Sequence, residues 1–164
     1  MAQVDSYLQE LEQEAHATRR VLERIPPDRL ECKPHAKSLS FGQLGLHVAT
    51  LPAAIAELAS HESFDVRTEI PRPSASRVSD IIDALEVSLQ KAQTLLSAMD
   101  DASLAAPWRM LSGDQEVARL PRAALLRSVL LNHWIHHRGQ LTVYLRLCDV
   151  PVPAIYGASA DEHP

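Results

Sequence analysis

The stretch Asn132-His133-Trp134-Ile135-His136-His137-Arg138-Gly139-Gln140-Leu141 decides how the rest of the chain is read. His133 and His137 stand four residues apart. On a helix that spacing puts both imidazoles on one face, a turn apart. With His133 at zero, a rotation of about 100° per residue places His137 at about 40°, Gln140 at about −20° and Leu126 and Tyr144 at about 20°. His136 falls at about −60°, at the edge of the stripe. Upstream, Leu44, His47, Leu51, Ala54, Ile55 and Leu58 form the apolar stripe of another amphipathic segment. Three imidazoles from two helices are thus aimed at one apolar interior, where leaving them unpaired would cost roughly 2–7 kcal/mol for each lost hydrogen bond. Neutral imidazole suits Zn²⁺, Ni²⁺ and Fe²⁺. Three protein ligands with a position left open is the pattern of a reactive metal site, not a closed structural one. For each histidine taken alone, a bond to a backbone carbonyl or a water is the plainer alternative. Trp134 occupies the position of the general base in a His-Glu-x-x-His metalloprotease, which disfavours that class.

Working outward, the 3.6-residue period predicts four helices. The first runs from Val4 to Arg24, with Val4, Tyr7, Leu8, Leu11, Ala15, Thr18 and Leu22 on one stripe, and Ile25-Pro26-Pro27 ends it. The second opens at Ser40, where Ser40 and Gln43 make a capping box. Pro52 lies inside it and removes the hydrogen bond to the Val48 carbonyl. A polar linker spans His61 to Ser76, and the third helix runs from Ser76 to Met99. Between residues 100 and 120 the period breaks, and Ser112-Gly113-Asp114 between two apolar runs suggests a short hairpin or an ordered excursion. Pro121 starts the fourth helix, which continues to Leu147, and the tail from Asp149 to Pro164 lies over one end. The expected fold is all-α: a single domain over residues 1–164, a four-helix bundle with long inter-helix connections.

Composition excludes several classes. With 46% hydrophobic and 23% charged residues, the chain of 164 residues reads as a soluble globular protein. Its net charge of −5 argues against nucleic-acid binding. It has no apolar run long enough for a membrane span and no secretory leader pattern. Cys32 and Cys148 show no metal or redox spacing, so reduced thiols and a cytoplasmic location are expected. His16, His35, His61 and His163 read as surface or loop residues. Leu131, Trp134, Ile135 and Leu145 make the face of the fourth helix opposite the histidines apolar, which predicts cover by a loop or, preferentially, a homodimer contact.

The segment from Asn132 to Glu162 resembles the DinB-like family, also called DinB/YfiT-like metalloenzymes. The resemblance is carried by His133, His137-Arg138-Gly139-Gln140-Leu141, Tyr144-Leu145-Arg146, Pro153-Ala154-Ile155-Tyr156-Gly157 and Ser159-Ala160-Asp161-Glu162. Pro34-His35, Lys37-Ser38, Gly42-Gln43-Leu44 and His47 look like the same family's approach to the second helix. Ala158 departs from the proline frequent in close relatives. The resemblance implies a four-helix bundle, commonly dimeric, with a divalent metal on His47, His133 and His137. Some relatives transfer low-molecular-weight thiols, and others carry hydrolase labels. The expected function is therefore metal-dependent transfer of a small-molecule thiol to an electrophile. The alternatives are metal-dependent hydrolysis and non-catalytic metal or ligand binding. Cys148 lies roughly 16 Å along the helix from His137, so the reacting sulfur is expected from a cosubstrate. Gln140 and Tyr144 are the candidates for orienting the ligands.

Overall fold

In chain order the elements are α1 (Gln3–Leu22), α2 (Phe41–Ser60), β1 (Ser63–Asp65), α3 (Val78–Ser97), α4 (Asp101–Ala105), β2 (Pro107–Ser112), β3 (Gln115–Pro121), α5 (Arg122–Leu125), a π-helical stretch (Leu126–Asn132) and α6 (His133–Leu147). This computed structural model describes residues 2–163; Met1 and Pro164, the outermost residues of the expected domain, lie outside the described residues. α1, α2, α3 and the run from α5 to α6 surround one hydrophobic core, in which Leu11, Phe41, Leu44, Val48, Ile81, Leu85, Leu126 and Trp134 are all but inaccessible. Burying each such side chain contributes about 1.5–3 kcal/mol.

The protein is mostly helical, but the all-α expectation needs correction, because β1, β2 and β3 form a three-stranded sheet. The expected hairpin is present: β2 and β3 pair antiparallel around Gly113, whose φ is +62°. β1 lies in the segment read as a linker and pairs parallel to β2 through Phe64 and Met110. Three residues are too few to show a period, and backbone pairing supplies what the sequence pattern could not. The consequence is positional. β1 anchors the start of the connection between α2 and α3, whose later part then crosses the start of α2.

α2 begins as its sequence predicts. Ser40 Oγ accepts from the Gln43 N–H (3.2 Å) and Gln43 Oε1 accepts from the Ser40 N–H (3.0 Å). Pro52 leaves the Val48 carbonyl without its helical donor, and the Trp134 indole N–H of α6 takes that place at 2.8 Å, fully buried. The next backbone N–H, of Ala53, donates instead to Ser88 Oγ on α3 (2.9 Å). A helix defect thus becomes two cross-links, one of them joining the residue after His47 to the residue after His133.

The buried face of α6 is Trp134, Arg138, Leu141 and Leu145. It lies about 110° from His133, so the histidines flank the core instead of centring on it. Leu131, Trp134 and Leu145 are inaccessible within the chain itself, so they no longer argue for a homodimer contact. The π-helical stretch is the reason that the ideal-helix angles misled. Its i→i+5 bonding puts extra residue into each turn and delays the rotation, which brings Leu126, Leu130 and Leu131 onto the same buried side as Trp134. On α2 the buried row is likewise Phe41, Leu44, Val48, Leu51, Ala56 and Ala59, whereas Ala54 is exposed and His47 half-buried.

The tail, expected over one end of the bundle, packs on α1 and α6. Glu162 pairs with Arg20 and Arg24, and Asp161 with Arg146. Beneath it lies a buried network. Arg138 pairs with Glu14, at side-chain exposures of 3% and 11%. The Tyr156 hydroxyl donates to Glu14 Oε2 (2.7 Å) and accepts from Arg138. Arg138 also donates to Thr18 Oγ1 and the Glu14 carbonyl.

Candidate metal centre

The side walls of α2 and α6 bring His47, His133 and His137 together. One nitrogen from each lies within 4.8 Å of the others, so this group could hold a metal ion. The ring centroids are 5.7 Å (His47–His133), 4.6 Å (His47–His137) and 4.4 Å (His133–His137) apart. His136 is exposed and outside the group, though its ring lies 5.1 Å from that of His137. His16, His35, His61 and His163 are exposed and apart from the cluster.

Of the α6 histidines, His137 is oriented from behind. His137 Nδ1 lies 2.7 Å from Gln140 Oε1. Because that oxygen can only accept, Nδ1 carries the proton and Nε2 presents its lone pair inward. The Val129 carbonyl lies on the His133 side of the helix and favours the protonated form of that ring. That carbonyl lies in the π-helical stretch, where the His133 N–H turns to Leu130 instead. Local π-helix is common where function needs such a freed group. Tyr144, the other expected orienting residue, lines the pocket, but its hydroxyl donates to the Leu39 carbonyl (3.0 Å).

His133 Nε2 and His137 Nε2 stand 2.7 Å apart. Without a cation that spacing is a hydrogen bond in which the His133 ring donates its Nε2 proton to His137, and a metal ion would take the place of that proton. The donor set fits a divalent ion: three nitrogens within 4.8 Å of one another, neutral in the right pH range, with the second nitrogen of His137 already engaged by Gln140. Burial is the main cause of that neutrality. It pushes His47 down to about 4, helped by the nearby charges of His137, His133 and Arg72. Burial also lowers His133, with His137 and His136 adding and the Val129 carbonyl opposing. It lowers His137 against the opposing bond from Gln140.

These shifts make a prediction for the metal-free protein. Each folded histidine lies below its ordinary value, so the folded state refuses protons that the unfolded chain accepts. The histidine contribution to stability is complete above about pH 6.5 and is lost as pH falls towards the folded value, about 4 for His47. Urea midpoints measured between pH 7 and 5 should fall, in a range where ordinary carboxylates stay ionised. Replacing His47 with asparagine should flatten the slope. An unchanged slope would contradict the burial argument.

The histidines form one wall of a pocket of about 460 Å³. Leu39, Leu44, Leu46 and Ile70 supply apolar surface, and Gln43, Thr50 and Arg72 are polar; no aspartate or glutamate lines it. Neither Cys32 nor Cys148 lines it. The connection carrying Arg72 reaches the pocket because Gly42 has no side chain. A Cβ there would meet Ser74 Oγ at 2.8 Å and the Ala75 carbonyl at 3.0 Å. Gln43 Nε2 then donates to the Arg72 carbonyl (3.5 Å). Sequence reasoning missed Arg72 because nothing local marks its partner helix. It also missed Glu14 and Arg138, although each is a charged residue interrupting an otherwise apolar buried row, and that was a legible signal.

Comparison with known proteins bears on the family and the fold. The DinB family profile matches residues 1–163. The uncharacterized protein YrdA of Bacillus subtilis (strain 168) is 28% identical over 163 residues, covering 97% of this chain and 91% of that protein. A DinB-like protein from Bacillus cereus superposes with a TM-score of 0.75 at 22% identity, covering 95% of this chain and 100% of the other. A DinB-like protein from Bacillus subtilis gives 0.68 at 19% identity, covering 88% and 92%. At these identities the two solved structures speak to the fold. Among the described residues, no helix is long and apolar enough to cross a membrane.

Proposed function

This chain belongs to the DinB family, and from that premise we propose that it is a divalent-metal-dependent enzyme that transfers a low-molecular-weight thiol to an electrophile. The observation that carries the reading is the convergence of three inward imidazole nitrogens on a pocket with room for a small molecule. His47, His133 and His137 would hold the divalent ion, which when bound would supply Lewis acidity that lowers a thiol's pKa. Gln140 keeps Nδ1 of His137 protonated, so its Nε2 stays a ligand. Leu39, Leu44, Leu46 and Ile70 supply apolar surface against which the carbon skeleton of a small thiol can pack. In the transfer, a carbon–sulfur bond forms at the electrophile and the bond to the leaving group breaks. The leaving group takes the electron pair, and the thiol proton passes to solvent.

No aspartate or glutamate lines the pocket, so a bound metal, and not a protein carboxylate, would have to activate the nucleophile, whether that is a thiol or the water of the hydrolysis alternative. Neither cysteine reaches the pocket, so the sulfur comes from a cosubstrate.

The test is a panel of small thiols against an activated haloarene. The rate is expected to depend on added Zn²⁺, Ni²⁺ or Fe²⁺ and to survive serine at both Cys32 and Cys148. Turnover of an ester or amide panel without thiol transfer would replace this reading with hydrolysis. Silence in both would leave a metal-binding or ligand-binding protein.

A further inference from the structure

Arg72 is exceptional among the arginines of the described residues. The others face a carboxylate or, as Arg122 does, donate to backbone carbonyls. The Arg72 guanidinium does neither, although the chain carries a net charge of −5 and is rich in possible partners. It lines the histidine pocket, which contains no acidic side chain to neutralise it. Its backbone is constrained on both sides, since Pro71 and Pro73 restrict φ and Gln43 holds the intervening carbonyl. A positive charge is thus kept, without a protein partner, in the wall of the same pocket as three neutral imidazoles.

We propose that Arg72 recognises a carboxylate on the small molecule that occupies this pocket, so that the ligand is an anionic thiol and not a neutral one. The planar guanidinium fork matches a carboxylate through two parallel hydrogen bonds. A ligand with sulfur at one end and a carboxylate at the other is held at two points. That fixes its orientation, which is what a transfer reaction needs from binding. The sulfur half of this inference rests on the thiol-transfer reading, whereas the carboxylate half stands on Arg72 and can be measured separately.

Mercaptoacetate and 2-mercaptoethanol are thiols of equal length that differ in the carboxylate. Each is titrated into the cobalt-loaded full chain, with the sulfur-to-cobalt absorption band reporting binding. The intact protein should prefer mercaptoacetate by about tenfold, the size of one charge-assisted pair. Arg72→Ala should lose most of that preference with metal content unchanged, and Arg72→Lys should keep part of it. Added KCl should shrink the preference, because the guanidinium is exposed. An equal preference in Arg72→Ala, or none in the intact protein, overturns the proposal. A second arm uses calorimetry of mercaptoacetate with metal-free protein. Binding that disappears in Arg72→Ala supports carboxylate recognition even if the metal reading fails, and binding indifferent to Arg72 overturns it.

Discussion

Replacing Arg138 with methionine is expected to destabilise the protein by about 3–5 kcal/mol, as does removing one partner of a buried ion pair. The cause is what stays behind. Glu14 keeps a carboxylate in a site where its side chain is 11% exposed, with Tyr156 as its remaining donor. Thr18 Oγ1 and the Glu14 carbonyl lose the same guanidinium. The companion variant separates this cause from lost packing. Changing Glu14 to leucine together with Arg138→Met removes both charges, and such paired replacements are often neutral or stabilising. Urea unfolding of the metal-free proteins should therefore rank the double variant well above Arg138→Met alone. A single variant within about 1 kcal/mol of the parent would resemble an exposed pair and contradict the burial seen here.

Alanine at His137 is expected to abolish stoichiometric metal binding, because it removes one of three donors and the group that Gln140 orients. His133→Ala and His47→Ala should do the same. His136→Ala should leave the metal in place, since its exposed ring lies outside the cluster despite being next in sequence. Gln140→Ala should weaken affinity by about 10- to 100-fold without abolishing it, the usual effect of losing a hydrogen bond behind a ligand. Elemental analysis gives the stoichiometry and competition with a chelator gives the affinity. Metal retained by His137→Ala but lost from His136→Ala would refute the helical phase of α6 on which the site depends.

Local physical chemistry was enough for much of this protein. Ser40 and Gln43 cap α2 because a hydroxyl and an amide three residues apart satisfy the first free N–H groups wherever a helix starts. Gly113 makes the hairpin turn because it accepts positive φ. His133 and His137 share a face because the segment after Asn132 is regular α-helix. The partnership with His47 was legible only in outline, because two amphipathic helices each carry histidine beside an apolar row, while the rows that pack are offset from the histidines themselves. Even the orphaned Val48 carbonyl could be read from Pro52.

What the sequence could not decide is which group answers each local demand, since those answers come from distant chain. Trp134 satisfies Val48 from 86 residues away. The π-helical stretch has no mark in the residue period of its segment. It rotates the deep face of α6 onto Trp134, Arg138, Leu141 and Leu145 and sets the histidines at the core's flank. The three residues of β1 become a strand only because β2 lies alongside. Arg138 and Glu14 each look like a flaw in an apolar row until the fold closes them into a pair. By itself, then, the sequence determined periodicity, caps, turns and the residue types of the site, because those act over a turn or two of chain. Phase, partner choice and the charge placed in the pocket wall were decided by tertiary structure, because they depend on which surfaces exclude water from one another.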